Sequence, residues 1–194
     1  MNSDDPVPER LSDHLDRRRF LALAGLAVGV GTAGCGSGSE TPDPVSLDSE
    51  QHCDQCGMVI QQHAGPAGQT YYEGDHPEGR DGPAWFCSSI CLYRYQFAAE
   101  DREWTRIVSY LTDYSGVDYT IRGDDEQFIS AHLGAEFFEQ LEELTLVVRS
   151  EIQGAMGPAM VPFSDEEDAR AFKDEYGGDL VEATEVTREL VDSL

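Results

Sequence analysis

Apolar and polar positions divide the chain into a short N-terminal block and a longer, regularly patterned region. Residues 20–33 carry no charge, and Arg17, Arg18 and Arg19 stand directly before them. A basic stretch, a short apolar run and a small-residue end have the form of a secretory signal. The adjacent arginines ahead of Phe20-Leu21 resemble a twin-arginine signal. The run is shorter than the roughly 20 residues that a helix needs to cross a bilayer. Thr32-Ala33-Gly34-Cys35 then reads as a cleavage and lipidation site. Residues 1–34 are therefore expected to be a lipoprotein signal with Cys35 as the lipidated residue, the alternative being a cleaved signal without lipid. Residues 35–50, opening on Gly36-Ser37-Gly38-Ser39, are expected to be a flexible tether.

From residue 51 onward the pattern predicts an α+β fold. The clearest helix begins near Ser164, where Ser164 and Glu167 have capping-box spacing and residues 165–168 are all acidic. Ala169, Phe172 and Tyr176 fall on one face, and Gly177-Gly178 ends it. Residues 144–148 and 180–186 read as strands and 159–162 as a short extended segment. The first half repeats this order. Residues 58–62 read as extended, 84–87 as a short strand and 107–111 as a strand. A helix capped by Ser88 or Ser89 is expected to run through Ala99, with Ile90, Cys91, Tyr95 and Ala98 inward. Trp85-Phe86-Cys87-Ser88 parallels Val161-Pro162-Phe163-Ser164, each closing a strand and opening a helix. The expectation is two strand–strand–helix–strand (ββαβ) units, about 51–122 and 140–190, within one domain over 51–194. Residues 124–143, with Phe128, Leu133, Phe137, Phe138 and Leu141, are expected to form a linking helical segment. Residues 65–68 and 74–83 are turn-rich loops.

Charge changes the picture of the surface, not of the fold. The chain has 38 acidic residues against 13 basic ones, and Lys173 is its one lysine. Residues 1–34 hold five acids and four arginines, which leaves 33 acids against 9 basic residues from Cys35 onward. Such a surface repels nucleic acid and anionic lipid heads. A 40% apolar content argues against disorder. The composition fits a halophilic setting, where salt screens self-repulsion.

The candidate chemistry is sulfur. With Cys35 set aside for lipid, Cys53-Asp54-Gln55-Cys56 and Cys87-Ser88-Ser89-Ile90-Cys91 form two close pairs, the arithmetic of a four-thiolate metal site. Met58 follows the first pair and His52 precedes it, and Met156 and Met160 form a second methionine cluster. A thioether beside thiolates favours Cu(I), whereas Zn2+ rarely uses thioethers. Gly57 lets the backbone turn Met58 back toward the cysteines. Two disulfides, a redox C-x-x-C and a four-cysteine zinc knuckle are the alternatives, and Met156 and Met160 read equally as packing residues. His63, His76 and His132 read as surface or loop histidines. No hydrolytic motif or phosphate-binding glycine loop occurs, and Asp54 is the sole acid near the thiols, so an enzyme is not expected.

Cys53-x-x-Cys56-Gly57-Met58, Phe86-Cys87 with Cys91-Leu92-x-x-Tyr95, Thr112-Asp113-Tyr114, Met156-Gly157-Pro158, and Phe163-Ser164 followed by Ala169, Phe172 and Gly177-Gly178 together resemble the NosL family. The resemblance covers about residues 51–187. It implies a lipid-anchored protein on the outer face of the cytoplasmic membrane. Such a protein binds Cu(I) and passes it to nitrous oxide reductase, with that enzyme's membrane assembly machinery as a further partner. It also implies two ββαβ halves similar to an organomercurial lyase domain. Carried onto this chain, Cys56 and Met58 are the first ligands, then Cys53, with Met156 from the Met-Gly element. Two departures stand out. Ala155 replaces the proline that often precedes that methionine, and Cys87 with Cys91 exceed the thiols of many members. The latter pair resembles half of a TRASH-type zinc knuckle, which keeps a zinc role or another client open.

Overall fold

The computed structural model describes residues 41–194, apart from Asp75 and Glu78. The arginine-led signal, Cys35 and the first part of the expected tether lie outside the described residues. Residues 42–47 pack onto the domain. Gln69 holds both backbone groups of Val45, at 2.9 and 2.8 Å, and the hydroxyls of Tyr71 and Tyr110 donate to the carbonyls of Asp43 and Pro42. Leu47 is fully buried and its N–H donates to the Leu133 carbonyl. The folded region thus begins ahead of residue 51, because one apolar side chain and a paired backbone fix the strap in place.

In chain order the elements are β1 (Gly68–Tyr72), β2 (Ala84–Phe86), α1 (Ser89–Glu100), β3 (Arg106–Thr112), β4 (Ile121–Arg122), β5 (Gln127–Ile129) and β6 (Phe138–Gln140). Then follow β7 (Thr145–Val148), β8 (Ile152–Gly154), β9 (Gly157–Pro158), β10 (Val161–Phe163), α2 (Glu166–Tyr176), β11 (Asp179–Glu182) and α3 (Arg188–Asp192). Three sheets result, ordered β2-β1-β3-β6, β10-β7-β11 and β4-β5-β8-β9. In the first, β1 lies antiparallel between β2 and β3, and α1 connects those two. In the second, β7 lies antiparallel between β10 and β11, and α2 connects them. The α+β class and the repeated ββαβ order are as expected, with the β8–β9 hairpin inserted in the second copy.

Three expectations are corrected. The first strand of the first copy is β1, not residues 58–62, which form a β-bridge (His52 with Val59) and a 3-10 turn. The reason is packing. A Cβ at Gly68 would lie 2.6 Å from Leu92 and 2.9 Å from Leu111, so the turn-like glycine is the close-packed start of a central strand. Residues 124–143 form no α-helix. Gln127–Ile129 pairs with β4 and β8, Phe138–Gln140 pairs with β3, and 3-10 turns fill between. Strand pairing overrides a helix-like spacing of aromatics there. Finally, α2 is capped one residue later than expected, by Asp165, which accepts from the Glu167 N–H at 2.7 Å. Ser164 is diverted to Asp113, donating through its hydroxyl and its backbone N–H.

Strand β7 joins the two cores. Leu144, Leu146 and Val148 join the larger apolar cluster with α1 and its sheet, while Val147 joins Val161, Phe163, Ala169 and Phe172 in the smaller one. A strand covered on both faces needs an apolar run, and Leu146 through Val148 supplies it. Among the described residues no helix is long and apolar enough to cross a membrane.

Candidate metal centre

The first cysteine pair sits on a tight knuckle before β1. The Cys53 N–H donates to the Met58 carbonyl and the Gly57 N–H returns to the Cys53 carbonyl, both at 2.8 Å. Gly57 has φ +79°, a left-handed conformation that costs glycine little. The knuckle is fastened to β2. The Asp54 N–H donates to the Trp85 carbonyl, and the Trp85 N–H donates to the Asp54 carboxylate at 2.6 Å. Arg80 donates to both oxygens of that carboxylate, at 2.7 and 3.3 Å, and its guanidinium lies 3.7 Å from the centroid of the Trp85 ring.

The second pair follows directly from β2. Cys87 comes next in the chain, Ser88 caps α1 by accepting from the Cys91 N–H, and Cys91 lies in the first turn. Fastening the knuckle to Trp85 therefore brings Cys56 beside Cys87. Their sulfurs are 3.5 Å apart, and Cys87 and Cys91 are 3.8 Å apart. All four Sγ atoms, of Cys53, Cys56, Cys87 and Cys91, lie within 4.8 Å of one another. A tetrahedron with metal–sulfur bonds of 2.3 Å has edges of about 3.8 Å; two separations lie near that edge and none exceeds it by more than about 1 Å, so the four sulfurs can close on one ion with small side-chain shifts. All four are free thiols, with Cys56 at the surface and the other three buried.

The thiols share their protons unequally. Hydrogen bonds from Cys87 and Cys91 pull the Cys53 thiol far below its ordinary range. Cys87 is pushed up, first by giving its hydrogen bond to Cys53, and Cys91 is pushed up to about 12, again chiefly by Cys53. One thiolate cradled by two thiols is a site ready to receive a cation and release the remaining protons.

The other expected ligands are dispersed. Met58 is half-buried and packs against the apolar cluster that includes Cys53, Cys87 and Cys91. His52 is exposed, with Nδ1 3.1 Å from the Gly57 carbonyl, which leaves Nε2 open to an ion. Met156 is exposed at the tip of the β8–β9 hairpin. Met160 is 1% exposed in the cysteine-containing core, where its carbonyl accepts from the Ser89 hydroxyl. Of the loop histidines, His76 stacks on Trp104 and His132 lies 3.0 Å from the Ser130 hydroxyl. The pair that sequence reasoning missed is Asp54 with Arg80. The available signal was an acid inside the C-x-x-C, the one charged residue between 51 and 72.

The NosL family model matches residues 44–191. The copper-binding lipoprotein NosL of Stutzerimonas stutzeri is 26% identical over 172 residues, spanning 87% of this chain and 80% of that protein. The crystal structure of the copper chaperone NosL from Shewanella denitrificans superposes with a TM-score of 0.61 at 28% identity, over 76% of this chain and 98% of that one.

Proposed function

From the premise that the chain belongs to the NosL family of copper-binding chaperones, we propose that it holds Cu(I) on the sulfur cluster of its first ββαβ unit. It delivers that ion to nitrous oxide reductase for copper-centre assembly. It acts as an exported lipoprotein, anchored through Cys35 on the outer face of the cytoplasmic membrane, where the enzyme and its membrane assembly machinery are its partners. The observation that carries the reading is the gathering of four free thiols, three buried and one at the surface.

Soft sulfur donors select Cu(I). The buried Cys53, Cys87 and Cys91 exclude water and oxidants from the ion, and Cys56 is the sulfur that an acceptor reaches first. Ligand exchange then proceeds from the surface inward. An incoming sulfur or imidazole adds to copper as Cys56 leaves, and the buried thiolates follow. Met58, packed against the cysteine-containing core, is a neutral sulfur that adds no charge to the ion, and the exposed Met156 and His52 are donors for the exchange step, not part of the thiol cluster. Met160 is a packing residue in this scheme.

Anaerobic titration against a chromophoric Cu(I) chelator tests it. One Cu(I) per chain is expected, with affinity falling more than about tenfold in Cys56→Ser and Met58→Ala. A wild-type chain that leaves all Cu(I) to a weak chelator would sink the reading. One observation favours a second reading, a structural Zn2+ ion. The 3.5 and 3.8 Å sulfur separations suit a closed tetrahedral four-thiolate site. That reading expects tightly held zinc from native purification, indifference to Met58→Ala, and loss of the fold on chelation.

A further inference from the structure

In a chain with 38 acids, three stretches that include the first cysteine pair and the Met156 hairpin carry one acid between them. Residues 51–72 hold Asp54 alone, and Arg80 neutralises it. Residues 127–135 and 152–163 hold no charged side chain at all. Burial accounts for part of this, but not for the exposed positions. His52, Gln55, Cys56, Gly57, Gln62, Phe128 and Met156 all face solvent and all are uncharged. Exposed acids border these stretches, Asp48 and Glu50 ahead of residue 51 and Asp124, Asp125 and Glu126 in the β4–β5 turn, and a further exposed run stands at 165–168.

These segments are also contiguous. The Gly65 N–H donates to the Ile129 carbonyl at 2.8 Å, and a Cβ on Gly65 would lie 2.8 Å from the Gly154 Cα, so the three backbones touch. Between the first two of these segments opens a cavity of about 410 Å³, lined by Gln61–Ala64 and Phe128–Ala131 with Arg122 as its one charge. Phe128 is 36% exposed beside it, and β5, which carries Phe128, pairs in parallel with β8 of the Met156 hairpin.

We propose that this carboxylate-poor strip, running from the Cys56 knuckle across the cavity to the β8–β9 hairpin and rimmed by the bordering acids, is the docking surface for the copper-accepting protein. The inference rests on the copper-carrier reading above and names the chemistry of that acceptor. The acceptor presents a soft ligand, thiolate, thioether or imidazole, within an uncharged surround, and seats an apolar side chain in the cavity against Phe128. Uncharged docking suits an acidic carrier, because it needs no charge steering, which salt removes, and because desolvating unpaired carboxylates would oppose the contact.

The test measures Cu(I) transfer from the full chain to copper-free nitrous oxide reductase, beside capture by a small Cu(I) chelator. Gln62→Glu and Phe128→Glu place an acid on the face without touching a sulfur, and Arg170→Glu places one on the exposed side of α2. The two face variants are expected to slow protein transfer about tenfold or more, with chelator capture unchanged and Arg170→Glu indistinguishable from wild type. The wild-type transfer rate is expected to stay level or rise as salt increases. Equal transfer by wild type and both face variants, or a rate that falls steeply with salt, overturns the face while leaving the carrier reading intact. A wild-type chain that holds copper yet gives none to the enzyme overturns the client and the face together.

Discussion

The two ββαβ copies share a strand order, apart from the hairpin inserted in the second, and differ in chemistry at the strand-to-helix junction. In the first, β2 ends at Phe86, Cys87 precedes the cap Ser88, and Cys91 lies three residues after the cap. In the second, β10 ends at Phe163, Ser164 precedes the cap Asp165, and Asp168 lies three residues after it. Sulfur in one copy corresponds to a hydroxyl and a carboxylate in the other. The helix environments follow suit. The start of α1 is enclosed, with residues 89 to 93 all buried, and has no acid in its first turn. The start of α2 is open to solvent and satisfies its N-terminal charge with Glu166, Glu167 and Asp168. Where a junction is buried, free carboxylates are too costly to desolvate, and thiols that share protons or a metal take their place. Where it is exposed, carboxylates suffice, and Asp113 ties the turn down by accepting from Ser164.

This comparison can be broken in three ways. The largest effect belongs to the second copy's core. Phe172→Ala removes a side chain 2% exposed, in contact with Phe163 and Tyr176, and should cost about 3–5 kcal/mol in chemical unfolding. Cu(I) stoichiometry per folded molecule should not change; if it does, the copies are not separable in function. Next is pH. Cys87 and Cys91 carry raised thiol pKa values, so loading must expel their protons, whereas Cys53, with its lowered value, has none to give near neutrality. Affinity should therefore fall with falling pH, by up to about tenfold per unit for each proton displaced. Competition titrations across pH 6 to about 8 that show a flat affinity would mean these thiols stay outside the coordination sphere. The smallest effect is at the cap of α2. Asp165→Ala should cost about 1 kcal/mol of stability in the same unfolding assay, with copper affinity untouched.

Much of the fold was legible in the chain because the signals are local. A serine cap for α1 (Ser88, one of two candidates), the acidic first turn of α2, its Gly177 stop and the β-branched run of β7 each depend on neighbours within a few residues, and each is found in place. The exceptions have one cause. Gly68 reads as a turn until Leu92 and Leu111 are seen above it, and the aromatics of 128–141 suggest a helix until their strands find partners in β3 and β8. Sequence spacing also could not separate Met156 from Met160, since exposure at a hairpin tip and burial in a core are properties of the assembled sheet.

What the sequence determined by itself was the donor chemistry: two cysteine pairs, a neighbouring thioether, and a surface so acidic that neutral stretches mean something. What only the tertiary structure decided was that the pairs make one site. Their separation in the chain is closed by the Asp54–Trp85 backbone pairing and the Arg80 clamp, contacts between residues that no local periodicity connects. Coordination requires sulfurs within a few ångströms of a common point, and that convergence is a property of the fold, not of the order of residues along it.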